Sequence, residues 1–224
     1  MPIIRTAAKL SLGTTAASAG GFYFLTRDTH FVPYSPTTDL SLHRTLKLYN
    51  PHNNTPIFAD HAVQQVSLSH LPTTNSETLI RKFCSGVWAG NGYMCQRKIL
   101  EMKYRHLEGR EGMLWGRKEL ENADYGAGSI ITDHFEVVER GNDKVIIRCG
   151  DSPLVRGNRS SDGLFLLEVT KDEKFANFHM KSIFFDSTAQ GDKAEKVPGW
   201  LYFAHKVYVR ILMRSGIEAV KERR

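Results

Sequence analysis

The second half of the chain constrains the fold most, because apolar and polar residues alternate there in four consecutive segments. Alternation with a period of two is typical of strands that bury one face. Links of a few residues separate several of the segments. Such links join antiparallel neighbours, since a parallel crossover needs about a dozen residues or more. The sequence therefore predicts four antiparallel strands, formed by residues 130–139, 144–149, 163–170 and 175–185.

One long amphipathic helix is expected after these strands. Pro198 precedes a stretch, residues 200–219, in which apolar residues recur at spacings of three and four, the pattern of a helix with one buried face. Lys206, Arg210 and Arg214 form a basic stripe on another face, which we expect to be solvated. Antiparallel strands followed by such a helix predict an α+β fold in which the sheet curves around the helix.

The segment before the four strands predicts one more strand and two helices. Apolar residues indicate a strand over residues 62–69. A capping-box pattern at residues 74–77 then predicts the start of a helix. Gly90 and Gly92 should end that helix, and a second one is expected over residues 93–104.

The N-terminus differs in composition from the rest of the chain. Residues 10–26 carry no charge and end in an aromatic cluster, which predicts an apolar helix. The stretch is slightly short for a bilayer span, which takes about 20 apolar residues. Arg5 and Lys9 precede it, as in a membrane anchor or a cleaved targeting peptide, and a packed arm is the remaining alternative. We expect residues 10–26 to contact a membrane, in an intracellular, membrane-associated protein of the endoplasmic reticulum or mitochondrion.

The predicted organisation has three parts. Residues 1–27 form the anchor or targeting segment. Residues 28–61 are rich in proline, asparagine and histidine and predict a linker that wraps around the domain, with a short helix near its middle. Residues 62–224 form the α+β domain, which is long enough to bury a substantial core.

The distribution of charge argues against nucleic acid as a partner. The formal net charge is +6; residues 1–27 carry +3 and residues 206–224 carry +4, so the body between them carries −1. A surface that follows a phosphate backbone needs clustered positive charge along one face. A nearly neutral body between basic ends does not provide such a face.

The sequence indicates neither a metal nor a cofactor. Cys84, Cys95 and Cys149 form no CxxC pair, and we expect them to be structural thiols in a reducing compartment. The histidines of the linker lie at irregular spacings that match no ligand motif. The sequence patterns GxSxG, GxGxxG and HExxH and the P-loop are absent, so no catalytic signature identifies a reaction.

Several short segments resemble a family of uncharacterised, mostly fungal proteins of similar length. These segments are YNPHNN at 49–54, FCSGVW at 83–88, GY at 92–93, QR at 96–97, LW at 114–115, ITDHFEV at 131–137, RCGDSP at 148–153 and DGLF at 162–165. The order of predicted elements resembles that of the START-like helix-grip superfamily. That resemblance implies an antiparallel sheet curved around the C-terminal helix and a cavity for a lipid, a polyketide or another hydrophobic molecule.

Polar and aromatic residues within these segments are the candidates for a functional site. A histidine and a carboxylate beside an apolar cavity can act as general base and acid, because burial can shift the pKa of either group. The candidates for catalysis are Asp133, His134 and Arg148, which we expect to lie near one pocket. The candidates for ligand binding are Trp88, Tyr93, Trp115, Asp151 and Asp162. We expect Asp133 rather than His134 to face the cavity, since alternation puts the two on opposite faces of one strand.

Two functions from different classes follow from these expectations. In the first, the domain binds a hydrophobic small molecule, such as a lipid, polyketide or terpenoid, at or near a membrane. In the second, it is a cofactor-free cyclase, dehydratase or isomerase in secondary-metabolite biosynthesis. A large cavity serves both, because a fold does not determine a function. Titratable side chains that converge in the cavity would favour the enzyme.

Overall fold

The computed structural model describes residues 20–190 and 198–221. The strands are β1 (His30–Phe31), β2 (Phe58–Ser67), β3 (Ile130–Ile131), β4 (Phe135–Arg140), β5 (Lys144–Gly150), β6 (Asp162–Lys171) and β7 (Phe175–Phe185). The helices are α1 (Leu40–Tyr49), α2 (Ser76–Ala89), α3 (Met94–Tyr104), α4 (Arg117–Asn122) and α5 (Gly199–Val220). Residues 20–26 are also helical, whereas residues 10–19 of the predicted apolar segment lie outside the described residues. Over the two described ranges, no helix combines the length and the apolar character that a membrane span requires.

The strands form one seven-stranded antiparallel sheet in the order β1-β2-β7-β6-β5-β4-β3. Strands β3 to β7 pair with their neighbours in sequence, as short links require. β7 then pairs along its length with β2, and β1 pairs with the other side of β2, so two strands from the first half of the chain complete the sheet. The prediction of an α+β fold with an antiparallel sheet and a C-terminal helix is confirmed.

One predicted strand is a hairpin instead. Residues 130–139 divide into β3 and β4, and the turn between them contains Thr132 and Asp133 with φ angles of 48° and 59°. Two consecutive residues in the left-handed region reverse the chain, and aspartate tolerates that region better than most residues do. Ile131 pairs with Phe135 across the turn, so the two lie on one face, as in a continuous strand, and the apolar pattern does not reveal the turn.

The segment that was predicted to be a linker contributes to the sheet and its covering layer. β2 begins at Phe58, earlier than the predicted start at residue 62. β1 also lies within residues 28–61, and α1 is the short helix predicted near the middle of this segment. Asp39 caps α1 by accepting a hydrogen bond from the Ser41 backbone N–H at 3.0 Å.

The two faces of the sheet bury different residues. On one face, side chains such as Phe178 and Met180 of β7 join the main core with α2 and α5. On the other face, Ile183 and Phe185 of β7 join a smaller core that Leu42 of α1 covers. The strands are therefore buried on both faces over part of their length, and the main core lies between the sheet and the longer helices.

Helices α2 and α5 approach each other closely at a glycine. A Cβ atom added at Gly86 would lie 2.6 Å from the Ser215 carbonyl oxygen and 2.6 Å from the Ala219 Cβ. Real side chains do not tolerate such distances, so α5 can lie this close to α2 only because residue 86 has no side chain. This contact sets the position of α5 above the sheet.

The basic stripe on α5 contacts the N-terminal segment, so the expectation of a solvated stripe is wrong. Arg210 donates hydrogen bonds to the carbonyl oxygens of Thr26 at 3.0 Å and Thr29 at 2.7 Å. Arg214 donates to the Leu25 carbonyl at 3.4 Å. Carbonyl groups at the end of a helical segment lack partners within it, and basic side chains commonly satisfy them. The stripe therefore fixes residues 25–29 to α5.

Candidate ligand-binding site

A cavity of about 370 Å³ lies between α5 and the sheet. Strands β4 to β7 provide one wall, and α2, the start of α3 and α5 provide the other. From the strands come Phe135, Cys149, Phe165, Ser182 and Phe184, and from the helices and their ends come Trp88, Tyr93, Gln96, His205, Tyr208, Val209 and Leu212. Its volume is within the range of small-molecule sites, which have mostly apolar walls and a few polar groups.

The strand register explains the shape of the sheet wall. Phe184 pairs with Gly163, and on the next strand Gly163 pairs with Cys149. Paired residues carry their side chains on the same face about 5 Å apart. The Cys149 Sγ and the Phe184 ring close over Gly163, because a Cβ atom added there would lie 3.1 Å from each of them. These two side chains therefore form the sheet wall at this point.

Trp88 forms the centre of an aromatic wall. Its ring lies 5.0 Å from that of Tyr93, 4.6 Å from that of Phe135 and 5.8 Å from that of Phe165, measured between centroids. The residue is 1% exposed, yet its indole N–H has no hydrogen-bond partner. Buried indole N–H groups usually find an acceptor. Trp88 therefore offers an unused donor in a wall of the cavity.

A second group of unpartnered polar atoms lies where β2, β7 and α5 meet. Asp60 pairs with Ser182 in the register of β2 and β7, so their side chains are neighbours on the cavity face of the sheet. Ser182 is buried and its hydroxyl group has no partner. Asp60 is buried as well, and neither of its carboxylate oxygens accepts a hydrogen bond.

His205 of α5 completes this group. Its Nε2 lies 2.8 Å from Asp60 Oδ2, although the relative orientation of the two groups does not meet hydrogen-bond geometry. The imidazole packs against Phe58 and Phe184, with centroid distances of 4.7 and 5.9 Å. Because Asp60 lies at Nε2, the second ring nitrogen, Nδ1, remains for other partners.

Burial holds the cysteine and tyrosine side chains of the cavity in their neutral forms. Burial raises the pKa of the Cys149 thiol to about 12, so this cysteine is a poor nucleophile. Burial also raises the pKa of Tyr93 and of Tyr208. The Tyr208 hydroxyl donates to Gln96 Oε1 at 2.7 Å, and the Tyr93 hydroxyl is hydrogen-bonded to Thr132. These hydroxyl groups support the walls of the cavity.

Some of the residues predicted for the site lie at the cavity and others do not. Trp88, Tyr93 and His134 line it. Trp115 is buried elsewhere in the core, where its indole N–H donates to the Arg110 carbonyl oxygen at 3.3 Å. Asp151 accepts a hydrogen bond from the Ser161 backbone N–H at 3.2 Å, within a loop.

His134 lines the cavity and Asp133 does not, which is the reverse of the expectation. The reason is that both residues belong to the turn between β3 and β4. The buried Asp133 carboxylate accepts hydrogen bonds from Arg110 Nε at 2.9 Å and from the Ser152 hydroxyl at 2.5 Å. His134 lines the cavity instead, and its ring packs against Tyr104. The strand alternation that favoured Asp133 does not apply within a turn.

Arg148 and Asp162 contact each other, but they lie on the face of the sheet opposite the cavity. Arg148 Nε and Nη2 donate to the two oxygens of Asp162 at 2.9 and 2.6 Å. The Arg148 guanidinium also packs over the Tyr49 ring, 4.5 Å from its centroid. Ser187 donates a further hydrogen bond to Asp162 at 2.7 Å. The structure therefore does not bring Asp133, His134 and Arg148 together around one pocket.

The polar group formed by Asp60, Ser182 and His205 was not predicted from the sequence. One signal was present, because Ser182 interrupts the apolar alternation of Phe178, Met180 and Phe184. Asp60 was missed because the predicted strand began after it. His205 was missed because one histidine on an amphipathic helix carries no signature of its own.

Other features of the described residues are weaker candidates. A groove of about 510 Å³ between α2, α4 and α5 is lined by small and charged residues, among them Arg81 and Arg117. No buried, unpartnered side-chain atom found in the described ranges belongs to it. Among the same residues, no group of three histidine, cysteine or acidic side chains is arranged to hold a metal ion.

Comparisons with protein-family models, with curated proteins and with solved structures give no match for this chain. A functional interpretation therefore rests on the geometry of the cavity.

Proposed function

We propose that the protein binds a hydrophobic small molecule, such as a lipid, polyketide or terpenoid, in the cavity between α5 and the sheet. The observation that carries this proposal is an apolar cavity of about 370 Å³ with two fully buried but unpartnered groups, the Trp88 N–H and the Ser182 hydroxyl, in its walls. A protein interior ordinarily satisfies such groups. A ligand inside the cavity would satisfy them here.

We further propose that the fold belongs to the START-like helix-grip superfamily, together with the mostly fungal family that the sequence resembles. Element order supports this assignment: β2 precedes α2 and α3, the strands from β3 to β7 follow, and α5 ends the domain. The pairing of β2 with β7 places the first long strand beside the last one. Ligands of this superfamily occupy the space between the sheet and the final helix.

Exposed aromatic residues support a location at or near a membrane. Trp200 and Phe203, in the first turn of α5, are 70% and 69% exposed. Tyr23 and Phe24, in the helical segment 20–26, are exposed as well, and Arg27 packs over the Phe24 ring. Aromatic and basic side chains together are typical of surfaces that enter the interface of a bilayer. Trp200 and Phe203 belong to α5, and Tyr23 and Phe24 directly precede residues 25–29, which contact α5.

A cavity-filling substitution tests the binding proposal. Val209 lines the cavity, whereas Val207 lies on the same helix outside it. We expect Val209→Phe to weaken binding of the neutral fluorescent probe N-phenyl-1-naphthylamine about tenfold or more, because the added ring occupies the ligand volume. Val207→Phe is the matched control and should keep the affinity. Equal affinity of both variants and the native protein, measured by fluorescence titration, would contradict the proposal.

Vesicle binding tests the membrane location. The double variant Trp200→Ser, Phe203→Ser removes two exposed aromatic side chains and should bind vesicles of phosphatidylcholine and phosphatidylserine at least tenfold more weakly. Leu40→Ser, Leu48→Ser is the matched control, since both leucines are exposed on α1. Equal losses in the two double variants would contradict a membrane contact at the start of α5.

The second candidate is the cofactor-free enzyme, a cyclase, dehydratase or isomerase. The contact between His205 and Asp60 favours it, because a carboxylate beside an imidazole is an arrangement that general acid–base catalysis uses. An enzyme of this class removes a proton from carbon. Incubation with 2-tetralone in D₂O, followed by NMR, should then show deuterium exchange beside the carbonyl that His205→Gln abolishes. Exchange at the same rate in both proteins would argue for the binding function alone.

A further inference from the structure

The polar atoms of the cavity are grouped, and their chemistry is complementary. Ser182 and Trp88 offer O–H and N–H donors without partners. Asp60 does not itself line the cavity; its carboxylate oxygens accept no hydrogen bond, and it lies beside Ser182 and in contact with His205. His205 does line the cavity and retains a second ring nitrogen. The surrounding surface is aromatic, formed by residues such as Phe165 and Phe184.

We propose that Ser182, Asp60 and His205 form a binding site for a hydroxyl group, so that the ligand is an otherwise apolar alcohol or phenol. This inference rests on the proposed function, which it makes specific. A hydroxyl group both donates and accepts hydrogen bonds. It accepts from the Ser182 hydroxyl and donates to the Asp60–His205 pair, whereas its apolar body contacts the aromatic walls.

The positions of the three residues explain why a small polar group fits. Asp60 and Ser182 occupy paired positions on neighbouring strands, and paired side chains lie about 5 Å apart. His205 reaches Asp60 from α5 at 2.8 Å, so the sheet and the helix both contribute to the group. Ser182 and His205 both line the cavity, so a ligand hydroxyl group there meets one polar side chain from the sheet and one from the helix.

The charge of the site selects against an acidic ligand. Asp60 is a carboxylate in a buried position, 3% exposed, and a second carboxylate beside it would be unfavourable. A ligand without any polar group would leave Ser182 and Asp60 unsatisfied, which lowers its affinity relative to a hydroxylated one. The site therefore distinguishes an alcohol from both a fatty acid and a hydrocarbon.

Two probes of matched shape test this inference in the full-length protein. 2-Naphthol carries a hydroxyl group where 2-methylnaphthalene carries a methyl group. The affinity of each is to be measured by its competition with N-phenyl-1-naphthylamine. We expect Ser182→Ala and Asp60→Asn each to lower the affinity for 2-naphthol about tenfold relative to that for 2-methylnaphthalene, as the loss of one hydrogen bond to the ligand predicts. Ser182→Ala should fold normally, because its hydroxyl group has no partner within the protein.

Ser187→Ala is the matched control. Ser187 is also buried, but its hydroxyl group donates to Asp162 on the opposite face of the sheet, so the ratio of the two affinities should not change. If both probes bind and the ratio is the same in every variant, the hydroxyl site is wrong while the cavity remains a ligand site. If neither probe competes in the native protein, the proposed function is wrong, and the hydroxyl site with it.

Discussion

At the scale of single residues, two buried arginines have opposite surroundings. Arg148 is held by both oxygens of Asp162 and by the Tyr49 ring. Arg97, on the inner face of α3, is 6% exposed, and its Nη1 has no hydrogen-bond partner. Within the described residues, no carboxylate lies within 4.0 Å of the Arg97 guanidinium. The first arginine is part of a satisfied pair, whereas the second is a buried charge without one.

The same substitution should therefore have opposite effects at the two positions. We expect Arg148→Met to lower the free energy of unfolding by about 3–5 kcal/mol, because Asp162 would remain buried without its partner. Arg97→Met should be neutral or stabilise the fold by about 1 kcal/mol, since a flexible apolar side chain replaces an unpaired charge. Urea denaturation of both variants measures the difference. Equal losses at the two positions would contradict this account.

Histidines on the second face of the sheet make stability depend on pH. Burial, then His179 and Lys181, lower the pKa of His61 to about 4, against opposing effects of Asp39 and Asp60. His61 Nε2 lies 3.0 Å from His179 Nδ1, and burial also lowers the pKa of His179. In the unfolded chain the His61 imidazole takes up a proton near its usual pKa of 6.5. The unfolded state therefore binds more protons than the folded state between pH 4 and 6.5.

We expect this difference to lower stability as the pH falls from about 6.5 to about 4, and to have no effect above that range. His61 should lower the free energy of unfolding by about 1–2 kcal/mol at the acid end of this range, because its ring is partly exposed and solvent screens part of the interaction. His61→Gln should reduce the slope of unfolding free energy against pH in this window. His70→Gln, at an exposed position, is the control. A slope unchanged by His61→Gln would show that other groups cause the acid sensitivity.

At the scale of secondary-structure elements, the contact between α2 and α5 determines the space above the sheet. We expect Gly86→Ala to destabilise the protein by about 1–3 kcal/mol, since the new Cβ would lie 2.6 Å from the Ser215 carbonyl and the helices would have to separate. Gly112→Ala is the control because its Cβ would meet no atom within 4 Å. Thermal unfolding of both variants tests this expectation; a loss no larger than that of Gly112→Ala would contradict it.

The sequence predicts elements better than it predicts their assembly. Strands β5 to β7 and helices α2, α3 and α5 are found close to their predicted bounds, because periodicity and capping are local properties. Asn75 rather than Thr74 caps α2, a shift of one position within the predicted box. The turn at Thr132 and Asp133 was missed because its flanking residues keep the alternation of a strand.

The candidate site could be predicted only in part, for a related reason. Trp88 and Tyr93 were predicted as aromatic residues within the segments that carry the family resemblance, and both line the cavity, whereas Trp115, predicted for the same reason, does not. The group of Asp60, Ser182 and His205 depends on which residue of β2 pairs with which residue of β7, and on where α5 crosses them. Pairings between distant segments follow from the register of the whole sheet, which one sequence does not reveal.

At the scale of the whole molecule, the N-terminal segment is part of the folded domain from about residue 25 onward. Thr26 and Thr29 are buried, and Thr29 also donates a hydrogen bond to Gln64 of β2 at 3.0 Å. Lys206 of α5 lies over the Phe31 ring, 5.0 Å from its centroid. A boundary after residue 27 would separate Thr26, whose carbonyl oxygen accepts a hydrogen bond from Arg210, from the rest of the domain.

Two truncated proteins test the importance of this segment. A chain that begins at Asp28 loses the Thr26 and Leu25 carbonyls that accept hydrogen bonds from Arg210 and Arg214, so its melting temperature should fall by several degrees. A chain that begins at Gly20 keeps these contacts and should melt like the full-length protein. Identical melting of the two truncated proteins would show that residues 20–27 do not stabilise the domain.

Helix α5 forms a wall of the cavity with His205, Tyr208 and Val209, and on another face its Arg210 holds the carbonyl groups of Thr26 and Thr29. A movement of α5 that widened the cavity would have to break both hydrogen bonds of Arg210. For the proposed ligand, the rate of departure is therefore linked to the hydrogen bonds that residues 25–29 make with α5, even though none of residues 20–29 lines the cavity.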